Sequence, residues 1–219
     1  MPSQILNPAQ QPALQPAHGL WQKYNPADAP YAFRAGTREE AEHWQVEART
    51  ALADTLGFQM GAPVHLNAQV IERVERGDFV REKILLQTAP DVEMPVYLLL
   101  PKGGRRPLPT VLAFAGHGYG AKDIVGLWED GAERENPDGY HADFAIALCR
   151  RGFAVAAPEI ACFGERQTDF SYLTNGQSAP TSCTHAAMLA LHLGGCVAGM
   201  RVRDARRLVD YLEQRPECD

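Results

Sequence analysis

Val111-Leu112-Ala113-Phe114-Ala115-Gly116-His117-Gly118-Tyr119-Gly120 is an apolar run that stops abruptly on a glycine-rich loop. A strand with one wet face alternates apolar and polar residues, so five consecutive apolar or small side chains predict a strand covered on both faces. The glycines that follow allow a tight turn and a close approach of backbone to whatever binds there. Beyond the loop, the pattern over 140–149 is helical, and Phe153-Ala154-Val155-Ala156-Ala157 forms a second apolar run before Pro158. Strand, loop, helix, strand is the unit from which parallel sheets are built.

Upstream of this unit, residues 64–71, 79–86 and 94–100 alternate partially, which predicts antiparallel strands with one wetter face. Gly77-Asp78 and Ala89-Pro90-Asp91 supply the turns between them. Thr37-Arg38-Glu39-Glu40 is a capping-box pattern. Trp44, Ala48, Leu52 and Leu56 then recur at helical spacing, and this stripe reads as packing. The 1–36 segment, rich in Pro, Ala and Gln, reads as an extended arm that Trp21, Tyr24, Tyr31 and Phe33 can pin to a surface. Downstream, 162–180 is polar and irregular, like a rim loop, and 185–193 and 201–214 are helical. In the last helix Val202, Ala205, Leu208, Val209 and Leu212 are expected to face the core, with Arg203, Arg206 and Arg207 outside. The expectation is an α/β fold with a mixed, mostly parallel sheet, divided into an arm at 1–36 and one domain at 37–219.

Composition narrows the function. The 219 residues include 45% hydrophobic side chains, enough to fill a sizeable core, and the net charge is −6. Arginine and glutamate are interspersed and no basic stripe forms, which argues against nucleic acid and against an anionic membrane surface. Residues 1–16 lack the basic and apolar regions of a secretory signal, and no apolar run approaches a bilayer-spanning length, so a cytoplasmic location is expected. Cys149, Cys162, Cys183, Cys196 and Cys218 show no zinc-like spacing and read as isolated thiols, with no metal or cofactor expected.

Ala115-Gly116-His117-Gly118-Tyr119-Gly120 resembles the His-Gly loop after the third strand of α/β-hydrolases, particularly the dienelactone-hydrolase and acetyl-xylan-esterase-like group. Residues 151–159 and Cys162-Phe163-Gly164-Glu165-Arg166 are similar to that group's fourth strand and following turn. Residues 199–204 and 208–212 resemble the helix before its nucleophile strand. The resemblance implies the N-terminal half of such a hydrolase. Its central fifth strand, nucleophile elbow, acid and histidine would all map beyond Asp219. It also implies that the Tyr119 backbone amide is an oxyanion donor, that His117 orients the loop, and that small esters, acetylated sugars or lactones are the substrates of complete relatives. The chain as it stands is then expected to be inactive or very weak. In the hydrolase sheet order the 111–115 strand borders the missing fifth strand, leaving a central edge open to self-association or to completion by a partner chain.

No Gly-x-Ser-x-Gly occurs, and Ser3, Ser171, Ser178 and Ser182 read as ordinary polar residues. Gly194-Gly195-Cys196-Val197-Ala198 is a possible alternative elbow, because some dienelactone hydrolases use a cysteine nucleophile. Ala198 departs from that pattern, and buried filler is the competing reading of Cys196. The acidic residues Asp123, Glu129, Asp130, Glu133 and Glu135, with Glu159 and Glu165 further on, read as a solvated rim. Glu165 and Arg166 are expected to pair. His141 shows no metal-ligand spacing.

Overall fold

A computed structural model describes residues 5–57, 64–173 and 178–219. Ser3 and positions 174–177 of the rim loop lie outside the described residues. The chain divides into two units, Met1–Leu52 and Ala53–Asp219.

In the first unit, where the sequence pointed to an extended arm, there are 3-10 turns at Pro12–Leu14 and Pro26–Asp28 and a short helix α1 (Pro16–Gln22). Pro12 and Pro16 open two of these, their fixed φ suiting the first helical position. Helix α2 (Arg38–Leu56) begins in this unit at the expected capping box: Thr37 Oγ1 accepts the Glu40 amide at 3.2 Å, and Glu40 Oε2 accepts the Thr37 amide at 3.1 Å. The Trp44 indole donates to the Tyr31 carbonyl at 2.9 Å and meets the Phe33 ring edge-on.

The second unit is built on a sheet of five strands among the described residues: β1 (Gln69–Arg76), β2 (Phe79–Ala89), β3 (Val92–Pro101), β4 (Thr110–Leu112) and β5 (Ala154–Pro158), in the order β1-β2-β3-β5-β4. β1 through β3 form an antiparallel meander joined by the expected turns, and β3 pairs antiparallel with β5. Only β4 and β5 run parallel. The α/β class therefore holds, but the expected mostly parallel direction does not, because two hairpins and the β3-β5 pair make three of the four pairings antiparallel. The parallel pair is the one that the strand, loop, helix, strand order demanded.

From Met94 onward β3, like β5, is apolar because both faces are covered. On one face Phe79, Tyr97, Leu99, Val155 and Ala157 pack with Ile146 and Cys149 of helix α3 (Phe144–Arg150). On the other, Val96, Leu98, Leu100, Ala154 and Ala156 pack with Leu208, Tyr211 and Leu212. Those last three belong to helix α5 (Val197–Leu212), which follows α4 (Ser182–His192).

Sequence reading misplaced two elements. β1 lies five residues later than expected, because half of its side chains are charged and its two adjacent apolar residues, Val70 and Ile71, are exposed beside a register shift. Charge on an edge strand discourages pairing with other chains, so an edge need not look apolar. In α5 the buried face is Asp204, Leu208, Tyr211 and Leu212, while Val202 and Val209 are exposed. Arg207, expected outside, is buried and donates to the Val64 carbonyl at 2.9 Å.

The outer edge of β4 is partly occupied. Leu108 donates to Glu217 O at 2.8 Å, Asp219 donates to Leu108 O at 2.9 Å, and Thr110 donates to Asp219 O at 3.1 Å. Residues 217–219 thus run parallel to the entry of β4, and a groove of about 460 Å³ lined by Thr110, Leu112, Val209 and Leu212 lies alongside. Among the described residues no single helix is long and apolar enough to cross a membrane.

Candidate functional site

The Gly116–Gly120 loop leaves the end of β4 and enters a 3-10 turn, Gly120–Ile124. Two fixings hold its ends. At the start, His141 Nε2 accepts the Gly116 amide at 3.1 Å. At the far end, both oxygens of Glu159 accept the Ala121 amide, at 3.1 and 3.2 Å. Between these anchors, the backbone amides of His117, Gly118, Tyr119 and Gly120 have no hydrogen-bond partner among the described residues.

The side chain of Tyr119 is also tied. Its hydroxyl receives a hydrogen bond from Arg134 and interacts with Asp123. Arg134 is buried, stacked 4.8 Å from the Trp128 ring, and its guanidinium also binds Asp143, the Leu127 carbonyl at 3.1 Å and the Asp123 carbonyl at 2.7 Å. Such a fork satisfies several acceptors in one plane, which a lysine cannot do. Burial and the Asp123 carboxylate push the Tyr119 hydroxyl above its ordinary range, so it stays protonated.

The buried Asp123 and the partly buried His141 form a dyad, with Nδ1 and Oδ2 2.6 Å apart. Because Nε2 accepts from Gly116, the ring proton sits on Nδ1 and is donated to Asp123. Burial opposes ionisation of Asp123, yet the bonds from His141 and Tyr119 outweigh it and hold the carboxyl below its usual value. The lone pair that a catalytic base would use is committed to Gly116. The dyad is therefore built to hold the loop and not to accept a proton from a nucleophile.

Glu159 lies at the end of β5, fully buried, and burial raises its carboxyl to about 7 even though the Ala121 and Glu165 amides favour the charged form. A Cβ at Gly120 (φ +86) or at Gly164 (φ +47) would overlap this carboxylate. The two glycines are thus required both by their backbone and by the space that Glu159 fills.

Asp123 and Glu159 correct the expectation of a solvated rim. Glu165 pairs with Lys83 at 2.7 Å and not with Arg166, which binds Asp204 at 2.7 Å and the Glu159 carbonyl at 3.1 Å. His117 is exposed and lies 5.1 Å from the Phe163 ring, while the hydrogen bond that fixes the loop comes from His141. Cys196 sits between two helices, because 189–192 belongs to α4 and not to a strand. Its thiol donates to the Leu56 carbonyl at 3.5 Å and its sulfur accepts the Gly199 amide at 3.4 Å, capping α5. Neither ring nitrogen of a histidine is bonded to it among the described residues. Ser182 accepts the Thr168 amide at 2.8 Å, and Ser171 donates its own amide to Asp169. A cavity of about 360 Å³ opens beside the loop, walled by His117, Phe163, Phe170, Thr181, Cys162 and Cys183.

The model of the Abhydrolase family matches residues 17–218, and the chain belongs to that family. Its fold is similar to that of a candidate acetyl xylan esterase from Bacteroides fragilis, at 19% identity and a TM-score of 0.73, with 93% of this chain and 50% of the other covered. It is also similar to methylesterase BT1017, at 17% identity and a TM-score of 0.54, covering 84% of this chain and 35% of the other. At these identities the likeness is one of fold. The chain spans half the length of the first and about a third of the second. No curated protein sequence matches it.

Proposed function

We propose that this chain carries the oxyanion-binding half of a carboxylic ester hydrolase site, and that the Tyr119 amide is its donor. The observation that supports the reading is the contrast along one loop: Gly116 and Ala121 are held by the His141 and Glu159 side chains, and the Tyr119 N–H between them has no partner among the described residues. A donor fixed in advance stabilises charge that develops on a carbonyl oxygen without reorganising at the moment of reaction. Small esters, including acetylated sugars, are the substrates this reading assigns, and the cavity beside His117 gives them room.

With no Gly-x-Ser-x-Gly in the sequence and, among the described residues, no histidine hydrogen-bonded to a serine or cysteine, the 219-residue chain by itself turns over ester slowly or not at all. Purified protein should hydrolyse p-nitrophenyl acetate at the buffer rate, and Cys196→Ala should not change it. Titration with acetate should shift the Tyr119 amide in a nitrogen-proton NMR spectrum. Turnover well above buffer that Cys196→Ala abolishes would replace this reading with a cysteine mechanism, and an unmoved Tyr119 amide would remove the anion site.

A second reading, a scaffold completed by a partner chain or by a second copy, is favoured by β4. Among the described residues its outer edge is paired at 108–110 and no further, leaving the Leu112 backbone beside a groove. Sedimentation that stays monomeric at every concentration would exclude the second copy.

A further inference from the structure

Cys162 follows β5 and Cys183 opens α4, yet the fold brings them together. One guanidinium nitrogen of Arg201 donates both to the Ala161 carbonyl at 2.9 Å and to the Cys183 sulfur at 3.6 Å. It thereby ties the peptide preceding Cys162 to the thiol of Cys183. Both residues line the cavity beside His117 and Phe163. Cys162 adopts a left-handed backbone, φ +76, that residues with a side chain seldom occupy, so its placement is imposed by the structure around it. The other three cysteines have separate settings: Cys149 under α3, Cys196 capping α5 and Cys218 beside β4.

We propose that Cys162 and Cys183 are a reversible redox pair, which a small disulfide oxidant such as glutathione disulfide converts to an intramolecular disulfide stapling the turn after β5 to the first turn of α4. Cys183 is the more exposed of the two and has the Arg201 charge beside its sulfur, the setting of an attacking thiol. It gives its proton to solvent and attacks one sulfur of the oxidant, and a glutathione thiolate leaves. Cys162, whose thiol burial pushes up, then loses its proton and displaces the second glutathione as the protein disulfide forms. Two cysteine thiols are oxidised and two glutathione thiols are produced. The bond ties together two walls of the cavity, so oxidation alters access to the space beside the His117 loop. This inference is independent of the ester-hydrolase reading.

The test uses the full chain, incubated with glutathione disulfide and then denatured for thiol titration. Five titratable thiols should fall to three, dithiothreitol should restore five, and non-reducing peptide mapping should find Cys162 joined to Cys183. Cys162→Ser should instead trap one glutathione on Cys183. Retention of all five thiols, or a map joining either residue to Cys149, Cys196, Cys218 or another molecule, would overturn the proposal. The map of the unmodified chain decides the matter even where a serine variant folds poorly.

Discussion

The Glu159 carboxylate and the Gly120 α-carbon are packed so closely that a methyl group on the glycine would occupy the carboxylate's place. The loop is thus set by a buried acid from the neighbouring strand as well as by its own glycines. Gly120→Ala combines a left-handed backbone with this overlap, and should lower stability by at least about 1–3 kcal/mol. Thermal or urea unfolding followed by circular dichroism checks it, and a variant as stable as the parent would show that the contact is loose.

Glu159 also gives stability a defined pH dependence. Its folded value of about 7 lies above the ordinary glutamate value of 4.5, so the folded state holds the proton more tightly than the unfolded chain. The stabilisation is fully present below the unfolded value and is lost as pH rises through about 7. Urea midpoints measured from pH 4 to pH 8 should contain a falling component that Glu159→Gln removes.

The Asp123 and His141 dyad predicts a local effect. In His141→Ala the buried Asp123 loses a donor and Gly116 loses its acceptor, at a cost of about 1–3 kcal/mol. Hydrogen exchange at the Gly116 amide should accelerate more than exchange in β2 and β3. In the parent, nitrogen NMR should find the His141 proton on Nδ1; a proton on Nε2 would contradict the bond to Gly116.

Arg134 is the hub beneath Tyr119. Arg134→Met strands Asp123 and Asp143 as buried carboxylates without their cation, and should cost roughly 3–5 kcal/mol. Arg134→Lys keeps the charge but loses the fork, so it should recover only part of the loss. Full recovery by lysine would mean that charge, and not planar hydrogen bonding, is what the loop needs.

The sequence showed where the loop lies but not what holds it. Val111 to Gly120 announced strand and turn through local pattern alone, and the 3.6-residue periods of α2 and α5 were equally visible. The scaffold was not, because Asp123, Arg134, His141 and Glu159 are joined only by tertiary contact. Nothing local in the sequence joins them, and Asp123 and Glu159, met among other acidic residues, read as solvated. One clue was present: Gly120 and Gly164 each lie near a carboxylate-bearing segment, and spare glycine is often a sign of close approach. β1 was misplaced because charged edge strands lack the apolar alternation that reveals inner ones.

The meander of β1, β2 and β3 joins neighbours in the chain through short turns, whereas β4 must find β5 across the whole stretch from 113 to 153. Contacts close in sequence are cheap to form early, and distant ones follow. The candidate site therefore rests on β5, whose seams with β3 and β4 both zip after the hairpins, and lesions in the Arg134 hub should reveal themselves as slowed refolding while the hairpins assemble at their normal pace.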